Sequence, residues 1–166
     1  MSFAAAIQSG FRNYVKFRGR ATRTEYWWFF LFTVLAQSVA SSINESFGNL
    51  VGLAVFLPGL AVHVRRMHDT GRSGWWVGAL YGSIAATVVA VVVLIIDAAV
   101  DFNDFADGSF ASDDFFGENV SGGSIAFVGL AGLFMLIMLV LNIVFLCQRS
   151  IESENRFGPP PPPRTL

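Results

Sequence analysis

Four apolar stretches, each close to the length of a bilayer crossing, constrain this chain more than any other feature. They run 26–43, 47–64, 75–96 and 125–147. About 20 helical residues cross a ~30 Å hydrocarbon core, so the last two span with ease and the first just reaches. The second is no longer than the first, and it carries Pro58-Gly59 in mid-span. Composition agrees with lipid as the solvent: 54% of the residues are hydrophobic and 14% charged, against roughly 25% charged in soluble domains.

The basic residues decide whether the second stretch spans. If all four cross, the N-terminal segment, the 65–74 loop and the C-terminal tail share one side. Those pieces hold all eleven Lys and Arg residues: Arg12, Lys16, Arg18, Arg20, Arg23, Arg65, Arg66, Arg72, Arg149, Arg156 and Arg164. The opposite side holds none, but carries Glu45, Asp97, Asp101, Asp104, Asp107, Asp113, Asp114 and Glu118. Cytoplasmic loops concentrate Lys and Arg, so both termini are expected in the cytoplasm. The expected fold class is an all-α integral membrane protein, a four-transmembrane-helix bundle with an N-terminal amphipathic interfacial helix. A single membrane domain covers 1–158, with an acidic extracytoplasmic loop at 97–124 and a Pro-rich tail at 159–166.

Local signals fill in this frame. The first 25 residues lack the order of a cleavable signal peptide. Phe3, Ile7, Phe11 and Tyr14 recur at helical spacing beside Arg12 and Lys16, which predicts an amphipathic helix in the headgroup layer or docked on the bundle. Thr22-Arg23-Thr24-Glu25 has capping-box spacing: Thr22 accepts from the first free amides, and Glu25 reaches back to the Thr22 amide. Tyr26, Trp27 and Trp28, then Trp75 and Trp76, sit where interfacial aromatics belong. Pro58 predicts a kink, tolerated if a neighbour satisfies the carbonyl it frees. Gly78, Gly82, Ala86 and Ala90 form a small-residue stripe that suits close helix packing within the monomer or, alternatively, a homodimer seam; Gly48 and Gly52 repeat the spacing.

Several chemistries find no support. The single cysteine, Cys147, excludes an intrachain disulfide and reads as a small apolar residue. No Cys/His cluster offers a metal site, and no cofactor motif or nucleic-acid partner is indicated. A calcium loop starting at Asp101 fails, because Phe105 stands at the fifth position and Ala106 at the sixth, where a ligand and a glycine are required. The prolines from Pro159 to Pro163 suit extended polyproline II.

The densest chemistry lies between spans two and three, in Arg65-Arg66-Met67-His68-Asp69-Thr70-Gly71-Arg72-Ser73-Gly74-Trp75-Trp76. Arginine forks match phosphate oxygens, Gly71 and Gly74 let backbone approach closely, and Asp69 can orient His68 or pair with an arginine. A purely structural reading stands beside this one. Orientation alone calls for arginines at this depth, an interface calls for tryptophans, and a tight turn calls for glycine.

This string resembles the signature of the bacterial inner-membrane family called domain of unknown function 805, with Met67 where leucine is usual. Phe17-Arg18-Gly19-Arg20-Ala21-Thr22-Arg23-Thr24-Glu25-Tyr26-Trp27 and Asn155-Arg156-Phe157-Gly158-Pro159 match its pattern too, so the resemblance covers nearly the whole chain. The long acidic loop departs from it. The resemblance implies a bacterial cytoplasmic-membrane protein and supplies no activity, substrate or catalytic residue.

All three motif segments fall on the basic side. The candidate binding residues are therefore Arg18, Arg20, Arg23 and Glu25; Arg65, Arg66, His68, Asp69, Gly71, Arg72, Ser73, Gly74, Trp75 and Trp76; and Asn155 and Arg156. The expectation is a single polar cap that binds anionic lipid headgroups, a protein partner or a second copy of the chain. A non-enzymatic binding, scaffolding or regulatory module is the first functional reading. A small oligomeric transporter or channel using Pro58, Gln37 and Asn142 is the second, and an enzyme acting on a lipid phosphate through His68 is the third.

Overall fold

Each apolar stretch folds as a helix, and each helix runs past an end that hydropathy marks. The computed structural model describes residues 1–100 and 122–160. Among them, five helices follow in order: α1 (Phe3–Arg12), α2 (Arg23–Ile43), α3 (Glu45–Asp69), α4 (Trp75–Val100) and α5 (Gly122–Cys147). The last four are long and apolar enough to cross a membrane. The fold is all-α, as expected. Most of the expected acidic loop, including the rejected calcium motif, and most of the Pro-rich tail lie outside the described residues. The chain divides into two compact units, one made of Met1–Val77 and the chain from Ile143 onward, the other of Gly78–Asn142.

In the first unit, α2 starts where its cap dictates. The Thr22 side chain accepts from the Glu25 amide at 3.2 Å. The reciprocal half of the capping box is not made: the Glu25 carboxylate is used by Arg65 and Ser9 instead. A charged donor offers a stronger bond than a neutral amide, so the long-range partner wins. Asn44 alone joins α2 to α3, accepting from the Ser46 amide at 2.8 Å and the Phe47 amide at 3.4 Å. The hairpin closes tightly because Gly48 lies on Ser41 and Gly52 on Gln37. A Cβ at Gly48 would stand 2.9 Å from the Ser41 Cα.

Of the two placements open to α1, the structure has it docked on α2. Its buried face is made of small residues, Ala6 and Gly10. Any side chain at Gly10 would collide with the Phe29 ring. Phe11 meets Phe29 and Phe32 edge-on, each at 5.8 Å, and Phe3 meets Trp28 at 5.6 Å. Beyond α1, Tyr14 answers the problem set by Pro58. Proline has no N–H, so the carbonyl four residues earlier loses its helical donor. That carbonyl is Ala54, and the Tyr14 hydroxyl donates to it at 2.6 Å.

The largest departure from expectation is at the end of α3. Residues 65–69, expected in a loop, form the last turns of the helix. Hydropathy falls there because the residues are charged, but the helix continues because those charges find partners inside the protein. Gly71 ends it with φ +75°, the left-handed conformation that closes helices and favours glycine. Its amide donates to the His68 carbonyl at 3.0 Å, and the Arg72 amide to the Met67 carbonyl at 3.0 Å.

In the second unit, the buried line of α4 runs through Leu80, Ser83 and Ala90. The predicted stripe does not coincide with it. Gly78, Gly82 and Ala86 are exposed, with only Ala90 shared. A side chain at Gly82 would meet nothing within 4 Å. The Thr87 hydroxyl donates to the Ser83 carbonyl at 2.9 Å and lies 3.2 Å from the Ala131 carbonyl of α5. The inward face of α4 therefore follows Leu80, Ser83 and Ala90, which spacing of small residues does not reveal.

Candidate functional site

The end of α3 gathers two buried arginines around Asp69. Its carboxylate is fully buried and accepts from two arginines. Arg20 Nε reaches Oδ1 at 3.0 Å, and Arg66 Nη1 reaches Oδ2 one helical turn away. Two guanidinium groups share one carboxylate, which leaves an uncompensated positive charge in the interior.

Backbone oxygens of the C-terminal segment answer it. Arg66 donates to the Leu146 carbonyl through Nε at 3.2 Å and Nη2 at 3.1 Å, and also to the Gln148 carbonyl. Arg20 donates to the Ser153 carbonyl at 2.8 Å and to the Ile151 carbonyl. The last carbonyls of a helix have no intrahelical donors and carry its negative dipole end. Leu146 and Cys147 close α5, so Arg66, with Arg23 at 3.4 Å from the Cys147 carbonyl, caps that helix. The segment is stapled further by the Ile151 amide on the Asp69 carbonyl at 3.2 Å. Asn155 Nδ2 donates to the His68 carbonyl at 2.9 Å. A side chain at Gly71 would press on Ile151.

The C-terminal segment thus forms a strap across the end of α3, and His68 meets it. Its ring stacks on Phe157 with centroids 3.9 Å apart, and Nδ1 lies 3.2 Å from the Gly19 carbonyl. Arg72 lies over the Phe145 ring at 3.8 Å and donates to Gln148 Oε1 at 2.6 Å. Trp76 meets the same ring edge-on. Arg156 reaches the Gly71 carbonyl at 3.3 Å.

A second ion pair lies beside the first cluster. Arg65 Nη1 donates to Glu25 Oε1 at 3.0 Å, and the Ser9 hydroxyl donates to the same oxygen at 2.9 Å. Arg65 Nε and Nη2 are buried without a protein partner among the described residues, so Glu25 is the counter-charge for that guanidinium. The Ala21 amide closes the site on the Arg65 carbonyl at 3.1 Å.

The three motif segments therefore converge. Arg20 and Glu25, Arg65 to Arg72, and Asn155 with Arg156 meet in one cluster. Arg18 and Trp75 do not enter it; Trp75 is 84% exposed. Ser73 and Gly74 supply the turn into α4, accepting from the Trp76 and Val77 amides. Sequence reasoning missed Ser9, Gln148, Phe157 and the strap carbonyls. Phe157 stands inside the third motif segment; a carbonyl has no sequence signature, and a lone serine in an amphipathic helix carries none either. Cys147 is exposed at the end of α5 rather than packed as an apolar filler.

A chain with four helices fit to span a bilayer and a buried ionic cap at their ends is an integral membrane protein. It belongs to the family described as protein of unknown function DUF805, whose profile matches residues 14–159. It is similar to the inner membrane protein YhaH of Escherichia coli K12, 31% identical over 161 residues that cover 90% of each chain. It is also similar to the inner membrane protein YhaI of the same strain, 34% identical over 115 residues that cover 65% of this chain and 93% of the relative. No solved structure matches the chain.

Proposed function

We propose that the chain is a non-enzymatic binding, scaffolding or regulatory module of the bacterial cytoplasmic membrane, with both termini on the cytoplasmic side. The segregation of all eleven basic residues supports that orientation, and the names of its relatives support that membrane. One observation carries the functional reading: the groups suited to chemistry are engaged inside the fold. Asp69, Arg20, Arg66, Arg65 and Glu25 pair with one another and with backbone. His68 is stacked on Phe157 and placed against the Gly19 carbonyl. A general base needs reach to a proton on a substrate, and this imidazole is enclosed by its own chain. Arg18, Arg23, Arg149 and Arg156 remain exposed around the cap as its contact surface.

The transporter alternative rests on Pro58, Gln37 and Asn142, and each has a structural use. Tyr14 answers Pro58, Gln37 lies on Gly52, and Asn142 Nδ2 donates to the Met138 carbonyl at 2.9 Å.

Capture of tagged protein from native membranes, with bound lipids and proteins both identified, tests the reading. A partner lost on combined Arg18→Gln, Arg149→Gln and Arg156→Gln substitution is expected. Substrate turnover or solute flux in proteoliposomes overturns it. Reporter fusions at each end test the orientation; a periplasm-active reporter that works at either terminus contradicts it.

A further inference from the structure

Residues 11–18 run as Phe11-Arg12-Asn13-Tyr14-Val15-Lys16-Phe17-Arg18, and the ionic cap uses none of their side chains. Apolar and cationic side chains alternate there, and both kinds are exposed: Val15 is 62% exposed, and Phe11, Tyr14 and Phe17 each more than a third. Arg12, Lys16 and Arg18 are exposed too, and make no side-chain hydrogen bond or ion pair among the described residues. No acidic residue precedes Glu25 in the chain, so nothing nearby in sequence offsets these three charges.

The height of this segment along α3 is fixed at two points. Tyr14 is held at the Ala54 carbonyl and Ala21 at the Arg65 carbonyl. Eleven helical steps separate those carbonyls, roughly 16 Å of rise. Ala54 lies near the middle of a helix long enough to span, so the lower anchor is at hydrocarbon depth and the upper one is at the ionic cap. The chain between them, which carries Lys16 and Arg18, crosses the level of a headgroup layer, roughly 5–8 Å thick; Arg12 ends α1 just before the lower anchor and reaches that level through its long side chain. Cations with aliphatic stems snorkel to that level, and exposed Val15 and Phe17 suit its apolar side. Lipid meets a surface anchored at that depth directly.

We propose that residues 11–18 form a binding flank for an anionic phospholipid, with Arg12, Lys16 and Arg18 meeting its phosphate and Val15 and Phe17 its upper acyl chains. This rests on the reading of the basic side as a binding face, and it names the occupant. The test uses the full chain in nanodiscs of equimolar phosphatidylglycerol and phosphatidylcholine, with retained lipid counted by native mass spectrometry after extraction. Wild type is expected to retain phosphatidylglycerol selectively. Each of Arg12→Gln, Lys16→Gln and Arg18→Gln is expected to weaken that selectivity about fivefold. Arg12→Lys with Arg18→Lys keeps the charge and is expected to retain it. Unchanged melting of the variants shows that they fold, since these side chains have no internal partner.

Full selectivity in the triple glutamine variant overturns the flank. If selectivity falls instead in Arg149→Gln with Arg156→Gln, the flank is wrong but the basic binding face survives. If wild type shows no preference for phosphatidylglycerol, lipid is the wrong occupant, and a protein captured through Arg149 and Arg156 then leaves the broader reading standing. With neither lipid preference nor a captured protein, both fall.

Discussion

The two units of this molecule treat polar side chains in opposite ways. The first buries three arginines and two carboxylates and spends them on contacts between segments far apart in sequence. Among the described residues of the second, Ser83 and Asn142 donate to carbonyls of their own helices, as does Thr87, whose hydroxyl also lies near a carbonyl of another helix. A short-range bond satisfies a polar group in lipid without fixing a neighbour, whereas a buried ion pair fails if either partner is absent. Specificity of assembly in the first unit is therefore concentrated at the ionic cap.

The comparison breaks most sharply at Asp69. Asp69→Asn keeps the shape and removes the counter-charge shared by Arg20 and Arg66. Destabilisation of about 3–5 kcal/mol is expected, read as a collapse of the melting transition of the detergent-purified protein; a shift within error of wild type would show the cap to be dispensable. Packing gives the next effect. Gly48→Ala forces a methyl onto Ser41 and is expected to cost about 1–3 kcal/mol. Gly82→Ala, in open space on an exposed face of α4, is expected to be neutral or slightly stabilising through helix propensity. Equal costs for the two in the same melting assay would erase the contrast between the units.

Tyr14→Phe removes the hydroxyl that answers Pro58. It is expected to cost about 1 kcal/mol, and Pro58→Ala, which restores the helical donor, is expected to make the loss of that hydroxyl less costly. A double-mutant cycle without coupling would separate Tyr14 from the proline. The smallest effect belongs to the second unit. Thr87→Val is expected to cost about 0.6 kcal/mol, the usual size of such bonds in membranes, measured by titration into denaturing detergent.

Much of the fold was legible. The four apolar stretches became α2 to α5, the Thr22 cap starts α2, and Gly48 and Gly52 pack the α2–α3 hairpin. The end of α3 was misjudged because hydropathy registers side-chain polarity and not whether a polar residue has an internal partner. Within the chain, Gly78, Gly82 and Ala86 do not form the packing face of α4, because small residues permit close approach without requiring it. Convergence of the three motif segments was expected, but the manner of it was not visible: the strap is held through carbonyls of Leu146, Gln148, Ile151 and Ser153, which any residue provides.

What the sequence determined by itself is the set of spans and their breaks, because apolar length and a proline at position 58 are properties of neighbouring residues. Tertiary structure alone decided which arginines are interior and which are surface. Arg18 and Arg20 stand two residues apart in the same basic run; Arg20 is buried because Asp69 and the strap carbonyls meet it there, and Arg18 is exposed because nothing does. It also decided that Tyr14 reaches Ala54. A hydroxyl forty residues away answers the carbonyl freed by Pro58 only once α1 has docked on α2.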